Sequence, residues 1–215
     1  MKRSILTSRV GATSRVVDAL RSCPPEERPS VLVTASAVGF YGTSSSLRFD
    51  ESSASGSDYL AAVCRDWEAA AAPAAALGTR LVVLRMGIVL DKGGGALASM
   101  APVFQVFAGG PLGDGRQWFS WVHREDAVDI VCRALSDASF SGAYNVTAPR
   151  PVRMGVRDCA LSGARARSVG SHVCLLCVVT GVLPEPRRCD GPPRLASRAR
   201  VCRASAARRG RQGGA

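Results

Sequence analysis

No apolar run in the sequence is long enough to cross a membrane. The longest, VCLLCVVTGVL at residues 173–183, falls far short of the ~20 residues a spanning helix needs. No apolar segment of secretory layout opens the chain. The eight cysteines therefore do not read as a disulfide framework, and Cys23, Cys64 and Cys132 read as reduced packing residues. Lysine is almost missing, with Lys2 and Lys92 the two examples. Glycine clusters occur as KGGGAL, GGPLGDG and QGGA, and none follows an N-terminal strand. No internal repeat is visible.

What is present is unevenly placed. Residues 1–150 hold 15 basic and 14 acidic side chains, whereas residues 151–215 hold 13 arginines, no lysine and three acids. Most of the formal charge of +11 thus sits in the last third and says little about what the first two-thirds bind. The last third shows no sustained apolar period, so ordering it would cost roughly 1–2 kcal/mol per residue with little burial in return. A disordered basic tail is expected over 151–215. Its composition is that of GC-rich sequence read through an intron or out of frame. Nucleic acid contact is expected through this tail or not at all. His172, Cys174, Cys177 and Cys189 are too loosely spaced, among apolar neighbours, to read as a zinc set, and no metal site is expected. The opening MKRSILTSRVGATSRVV has no acid before Asp18 and is rich in Arg, Ser and Thr. That suits either an organelle leader (plastid or mitochondrial) or an ordinary helix; a cytoplasmic location is the first expectation and the organelle the alternative.

The remaining pattern alternates strands and helices. Residues 8–23 space Val10, Val16, Val17 and Leu20 as a helix does. SVLVTASAVG, from Ser30, is a nearly continuous apolar strand of the kind buried on both faces of a parallel sheet. A loop rich in Ser, Asp and Glu spans 43–58, and an Ala-rich helix follows, capped by Asp58. GTRLVVLRMGIVL reads as a second buried strand, DKGGGALASMAPVFQVF as a turn and helix, and WFSWV as a short strand. HREDAVDIVCRAL is a helix with acids in its first turn, where the helix dipole favours them, and GAYNVTAP is a third strand. Strands 31–34 and 81–84 are expected side by side in a parallel, doubly wound α/β sheet.

Four blocks carry a family resemblance: SRVGATSRVVDAL; VTASAVGFYG; LRMGIVLDKGGGAL; and GGPLGDGRQWFSWVHREDAV followed by YNVTAP. In that order they resemble the extended short-chain dehydrogenase/reductases, in the atypical NAD-dependent epimerase/dehydratase-like, cell-division-inhibitor-like subgroup. The likeness spans residues 1–150. It implies a Rossmann-type domain that binds NADP or NAD and moves a hydride to or from a small-molecule substrate. It also implies that this chain is an incomplete Rossmann-type sheet without its N-terminal strands, truncated at both ends. The Gly-rich turn that would hold a pyrophosphate on a helix start is missing, so tight dinucleotide binding by this chain alone is not expected.

The resemblance assigns substrate orientation to Ser36, with Ala37 the alternative register, and proton transfer to Tyr59. It puts Thr34, Ala35, Met86 and Gly87 at the nicotinamide end of the cofactor. The family's lysine four residues after the tyrosine is Val63 here, which leaves Tyr59 near its ordinary pKa of about 10. Tyr41 is expected to pack beside Gly42. Phe119 and Ser120 stand where nucleotide-sugar enzymes of the family carry an Arg-Asp pair, which argues against a nucleotide-sugar substrate. Arg116 is either a substitute for that arginine or a solvated loop residue. His123 and Asp126 are expected to fix the loop and cap the helix. Trp118, Phe119 and Trp121 either wall an apolar pocket or belong to the core. Two readings follow: part of an NAD(P)-linked oxidoreductase or epimerase-like enzyme, or a non-catalytic binding or regulatory derivative whose basic tail is its contact surface.

Overall fold

The computed structural model describes residues 2–91, 93–105, 114–149 and 151–153. Helix α1 spans Lys2–Ser22. The opening stretch is helical, and its second half packs into the domain. Val17 and Leu20 are buried with Ala74, and the Trp67 indole N–H donates to the Thr13 hydroxyl at 2.9 Å. Strand β1 (Val31–Ala37) passes through a 3-10 turn (Val38–Tyr41) into the expected loop. Helix α2 (Tyr59–Ala71) follows, with Asp58 at its N-cap accepting from the Ala61 N–H at 2.8 Å, as expected. Pro73 ends α2 by opening the short helix α3 (Pro73–Ala76).

Strand β2 (Arg80–Met86) pairs in parallel with β1 along its whole length, and β6 (Gly142–Val146) pairs in parallel with β2. The order β1-β2-β6 makes the central sheet, and the expected neighbours at 31–34 and 81–84 lie in register. Alternation divides the side chains. Val82, Leu84, Tyr144 and Val146 pack against helix α5 (Arg124–Ser136), with Val31 and Val33 at their margin. Leu32 joins the opposite layer under α1 and α3. Strand β1 differs from the fully buried strand expected: its first three residues are half-buried and Ala35 is exposed. The reason is positional. β1 lies at the edge of the described sheet, with β2 on one side only.

The second apolar run is not one strand. It breaks at Gly87, after which β3 (Ile88–Asp91) pairs in parallel with β5 (Trp121–His123). A Cβ on Gly87 would stand 2.9 Å from the Ser120 carbonyl oxygen, so the backbones approach as only glycine permits. The Gly87 N–H donates to Val146 O at 3.0 Å and the Ile88 N–H to Ser120 O at 2.8 Å. One residue thus hands the chain from the central sheet to a second layer. Helix α4 (Gly95–Gln105) leaves β3 through the glycine turn. Strand β4 (Trp118–Phe119) pairs antiparallel with β7 (Val152–Arg153), just past the residue at which the sequence pattern stops. The WFSWV segment is accordingly two short strands. His123 caps α5, its Nδ1 accepting from the Glu125 N–H at 3.3 Å. Of the tail expected to be disordered over 151–215, the first residues are ordered, since Val152–Arg153 form β7; its remainder and the zinc-like set lie outside the described residues.

Leu84, 1% exposed in the central strand, tests the layering. Leu84→Ala is expected to lower unfolding free energy by about 2–5 kcal/mol in urea denaturation, against under about 0.5 kcal/mol for Leu47→Ala on the exposed loop. Similar losses from the two would contradict this packing.

Candidate functional site

The C-terminal ends of the three parallel strands carry a polar line. Ser36 on β1 stands in register with Arg85 on β2, and Arg85 with Asn145 on β6. Arg85 is 6% exposed, and a charge so buried needs partners in place. Its Nε and Nη2 donate to the two carboxylate oxygens of Glu68 on α2, each at 2.9 Å. Its Nη1 donates to the Tyr41 hydroxyl at 2.9 Å, and its guanidinium lies 3.5 Å from the Phe40 ring centroid. Burial alone would lower the Arg85 pKa, but the bonds to Glu68 and Tyr41 outweigh it and raise the value. The Ser36 hydroxyl completes this side, donating to Glu68 Oε1 at 2.6 Å.

On the other side the Tyr41 hydroxyl donates to Asn145 Oδ1 at 2.8 Å. Burial raises the Tyr41 pKa, although Arg85 and Asn145 pull it down. Tyr41 also stacks on Phe49, with centroids 5.4 Å apart and planes within 3°. The packing role expected of Tyr41 is thus present together with a polar one. The Asn145 N–H donates to Glu51 Oε1 at 2.8 Å, which draws the loop over the strand ends. Glu51 Oε2 is buried there with no partner among the described residues. The neck of the loop is a crossing of two glycines. Gly42 adopts φ 73°, and a Cβ on Gly56 would meet Gly42 backbone atoms at 2.7 Å. Farther out, the Trp118 indole N–H donates to Ser45 O at 3.2 Å, so the loop also touches β4.

The structure gathers most of the residues singled out in the sequence. Thr34, Ala35 and Ser36 run from the middle of β1 to its penultimate residue, while Met86 is the last residue of the adjoining strand and Gly87 follows it. Thr34 and Ser36 are buried, Ala35 is exposed, and Met86 is half-buried against the α5-side core. Tyr59 opens α2 half-buried. It precedes Glu68 by nine residues, roughly 13 Å of helix rise. Val63, where the family resemblance seeks a lysine, is 4% exposed in the core. Arg116 has an exposed side chain with no partner among the described residues, and Phe119 is buried with Leu90 and Leu97. Sequence reasoning missed Arg85, Glu68, Asn145 and Glu51. One signal was available for Arg85: an arginine inside the run LVVLRMGIVL is a charge in a core strand and must be paired.

These bonds set what the groups can do. Ser36 spends its proton on Glu68 and is 3% exposed, so its hydroxyl braces the Glu68–Arg85 pair from inside the strand end. Tyr41 is held as a neutral phenol and does not serve as a base near neutral pH. Tyr59 is half-buried at the first residue of α2.

The comparisons with known proteins agree with this architecture. The family model described as "NAD dependent epimerase/dehydratase family" matches residues 2–147. The chain is 54% identical over 155 residues to the chloroplastic SDR39U1 homolog of Arabidopsis thaliana, an epimerase family protein, covering 72% of this chain and 44% of that one. It is 43% identical to the epimerase family protein YfhF of Bacillus subtilis, covering 71% and 50%. The chain therefore spans about half the length of the curated relatives it matches. Among solved structures, human epimerase family protein SDR39U1 (isoform 2) with NADPH superposes with TM-score 0.66 at 32% identity, over 72% of this chain and 52% of that one. A Corynebacterium glutamicum protein described as a nucleoside-diphosphate sugar epimerase gives TM-score 0.65 at 41% identity, over 71% and 32%.

Two outcomes are expected of the polar line. Glu68→Gln, which leaves the Arg85 charge buried without its counterion, is expected to cost about 3–5 kcal/mol by chemical denaturation, and a loss below about 1 kcal/mol would contradict the network. Because the folded Tyr41 pKa is raised, the folded state keeps a proton that the unfolded state releases above pH 10. Stability from this group is complete below pH 10 and declines as pH climbs from there. Ultraviolet titration is expected to show a late tyrosine ionisation that Tyr41→Phe abolishes.

Proposed function

Because the chain belongs to the NAD dependent epimerase/dehydratase family, we propose that it carries the substrate side of an NAD(P)-dependent oxidoreductase or epimerase-like site. Its substrate is a small molecule other than a nucleotide sugar. The observation that carries this reading is the C-terminal end of a parallel sheet, where α/β folds bind their ligands, with Ala35 exposed on β1 and Tyr59 at the start of the helix that follows.

The residues fit the nicotinamide end of a dinucleotide. Ala35 is exposed and bears only a methyl group, so a planar ring can approach the β1 backbone. Gly87 offers no such room, since the Ser120 backbone fills the place of its Cβ, and its service is to the chain bend. A bound nicotinamide exchanges a hydride with the substrate carbon. The protein's part is to hold the substrate oxygen. Ser36, buried with its proton on Glu68, orients that oxygen through the strand end it braces. Tyr59 gives or takes the proton at that oxygen, with Val63 standing where the family has a lysine. The case against a nucleotide sugar rests on Phe119, packed in the core where relatives would need a phosphate-gripping arginine. The chloroplastic relative favours a plastid location for this protein, and imaging of a C-terminal fluorescent fusion in its source cells tests that.

Saturation-transfer NMR of the chain with NADPH decides the central reading. Transfer is expected to the nicotinamide protons in preference to the adenine protons, and to weaken in Tyr59→Phe. Transfer confined to adenine, or none, would overturn it in favour of a non-catalytic binding protein.

A further inference from the structure

Beside the strand ends lies a patch that the cofactor reading leaves unused. Trp118 on β4 is 44% exposed and Leu47, on the loop that its indole N–H holds through Ser45 O, is 66% exposed. The Arg153 guanidinium lies over the Trp118 ring, 4.3 Å from its centroid, and is tethered by Nη1 donating to Arg116 O at 2.8 Å. Stacking fixes the plane of a guanidinium and leaves its remaining N–H edge free for a bidentate acceptor. The Arg116 and Arg48 side chains are exposed and have no partner among the described residues. Two acids stand nearby, and neither makes an ion pair with these arginines among the described residues: Asp114 accepts from the Arg116 backbone N–H at 2.9 Å, and Asp50 accepts from the hydroxyls of Ser52 and Ser53. An apolar shelf thus sits among three arginines that make no ion pair among the described residues, about 70 residues of sequence brought together by one hydrogen bond.

We infer that this patch binds the distal end of the substrate, and that the substrate is an anion with an apolar body. Its carboxylate or phosphate meets Arg153 and Arg116, and its hydrocarbon or aromatic portion lies on Trp118 and Leu47. Arg48 supplies longer-range attraction from the loop. The assignment of this ligand as the substrate rests on the function proposed above; the recognition of an apolar anion does not. The surroundings also set the order of contributions. A charge on an exposed arginine is screened by solvent, so the anion alone binds weakly. Apolar contact with an exposed tryptophan is likewise weak alone. The two together give selectivity for molecules that carry both.

Calorimetric titration of the full chain with phenyl phosphate, benzoate, phenol and inorganic phosphate tests this. Phenyl phosphate or benzoate is expected to bind at least about tenfold more tightly than phenol or inorganic phosphate, and the tighter of the two identifies the anionic group. The double variant Arg116→Gln, Arg153→Gln is expected to lose that advantage with its thermal midpoint kept. Trp118→Leu is expected to keep inorganic phosphate binding and lose the preference for the aryl compound. Equal affinity for phenol and phenyl phosphate would overturn the inference. So would aryl anion binding unchanged in the double variant, the result expected if arginines elsewhere, including those of residues 154–215, were responsible. Nicotinamide contacts from NADPH are expected to survive both variants. Loss of those contacts in the unaltered chain, with anion selectivity intact, would sink the oxidoreductase reading and leave the anion site standing.

Discussion

The Arg85 guanidinium is the constraint around which this end of the molecule is arranged. A buried cation on a central strand is unfavourable until its donors are occupied, and the chain occupies them from three directions. Helix α2 supplies Glu68, the turn after β1 supplies Tyr41, and Phe40 covers the guanidinium face. Each supplier is thereby tied to β2. The tie to α2 sets the height of the helix above the sheet, and with it the position of Tyr59 at the helix start. The tie to Tyr41 sets where the chain leaves β1, and so where the loop begins.

From that loop onward, the same economy continues with backbone. Glu51 reaches the β6 amide of Asn145, and Ser45 takes the Trp118 indole. The two glycines at the neck allow the loop to close on itself without a side chain between its strands. Gly87 plays the matching part below, letting β2 turn into β3 against Ser120. The wall beside the strand ends is therefore made of segments far apart in sequence, joined by single hydrogen bonds and close backbone approaches rather than by a large shared core.

How much of this could be read from the sequence follows from the range of each signal. The runs that became β1 and β2, the Asp58 cap and the His123 cap are local patterns, and all four appear where the residues indicate. The division of LVVLRMGIVL into two strands was not legible, because Gly87 bends for the sake of Ser120, 33 residues away. Ser36 was legible as a hydroxyl at a strand end, but not the carboxylate that takes its proton, because Glu68 looks like any acid on an Ala-rich helix. Asn145 and Glu51 carry no local mark at all. Their importance comes from strand register, which no single segment contains.

Register also gives the polar line a consequence of another kind. Side chains alternate between the faces of a strand, so sliding β2 by one residue would turn Arg85 into the apolar layer under α5 and bring Met86 or Leu84 against Glu68. A slide of β6 would similarly strand Asn145. Apolar strands of valine and leucine tolerate such slips with modest loss, since one branched side chain fills a neighbour's place tolerably well. A charge with one acceptable seat does not. Three polar residues at one level of the sheet therefore act as a key, admitting one alignment of three otherwise interchangeable hydrophobic strands and rejecting the rest.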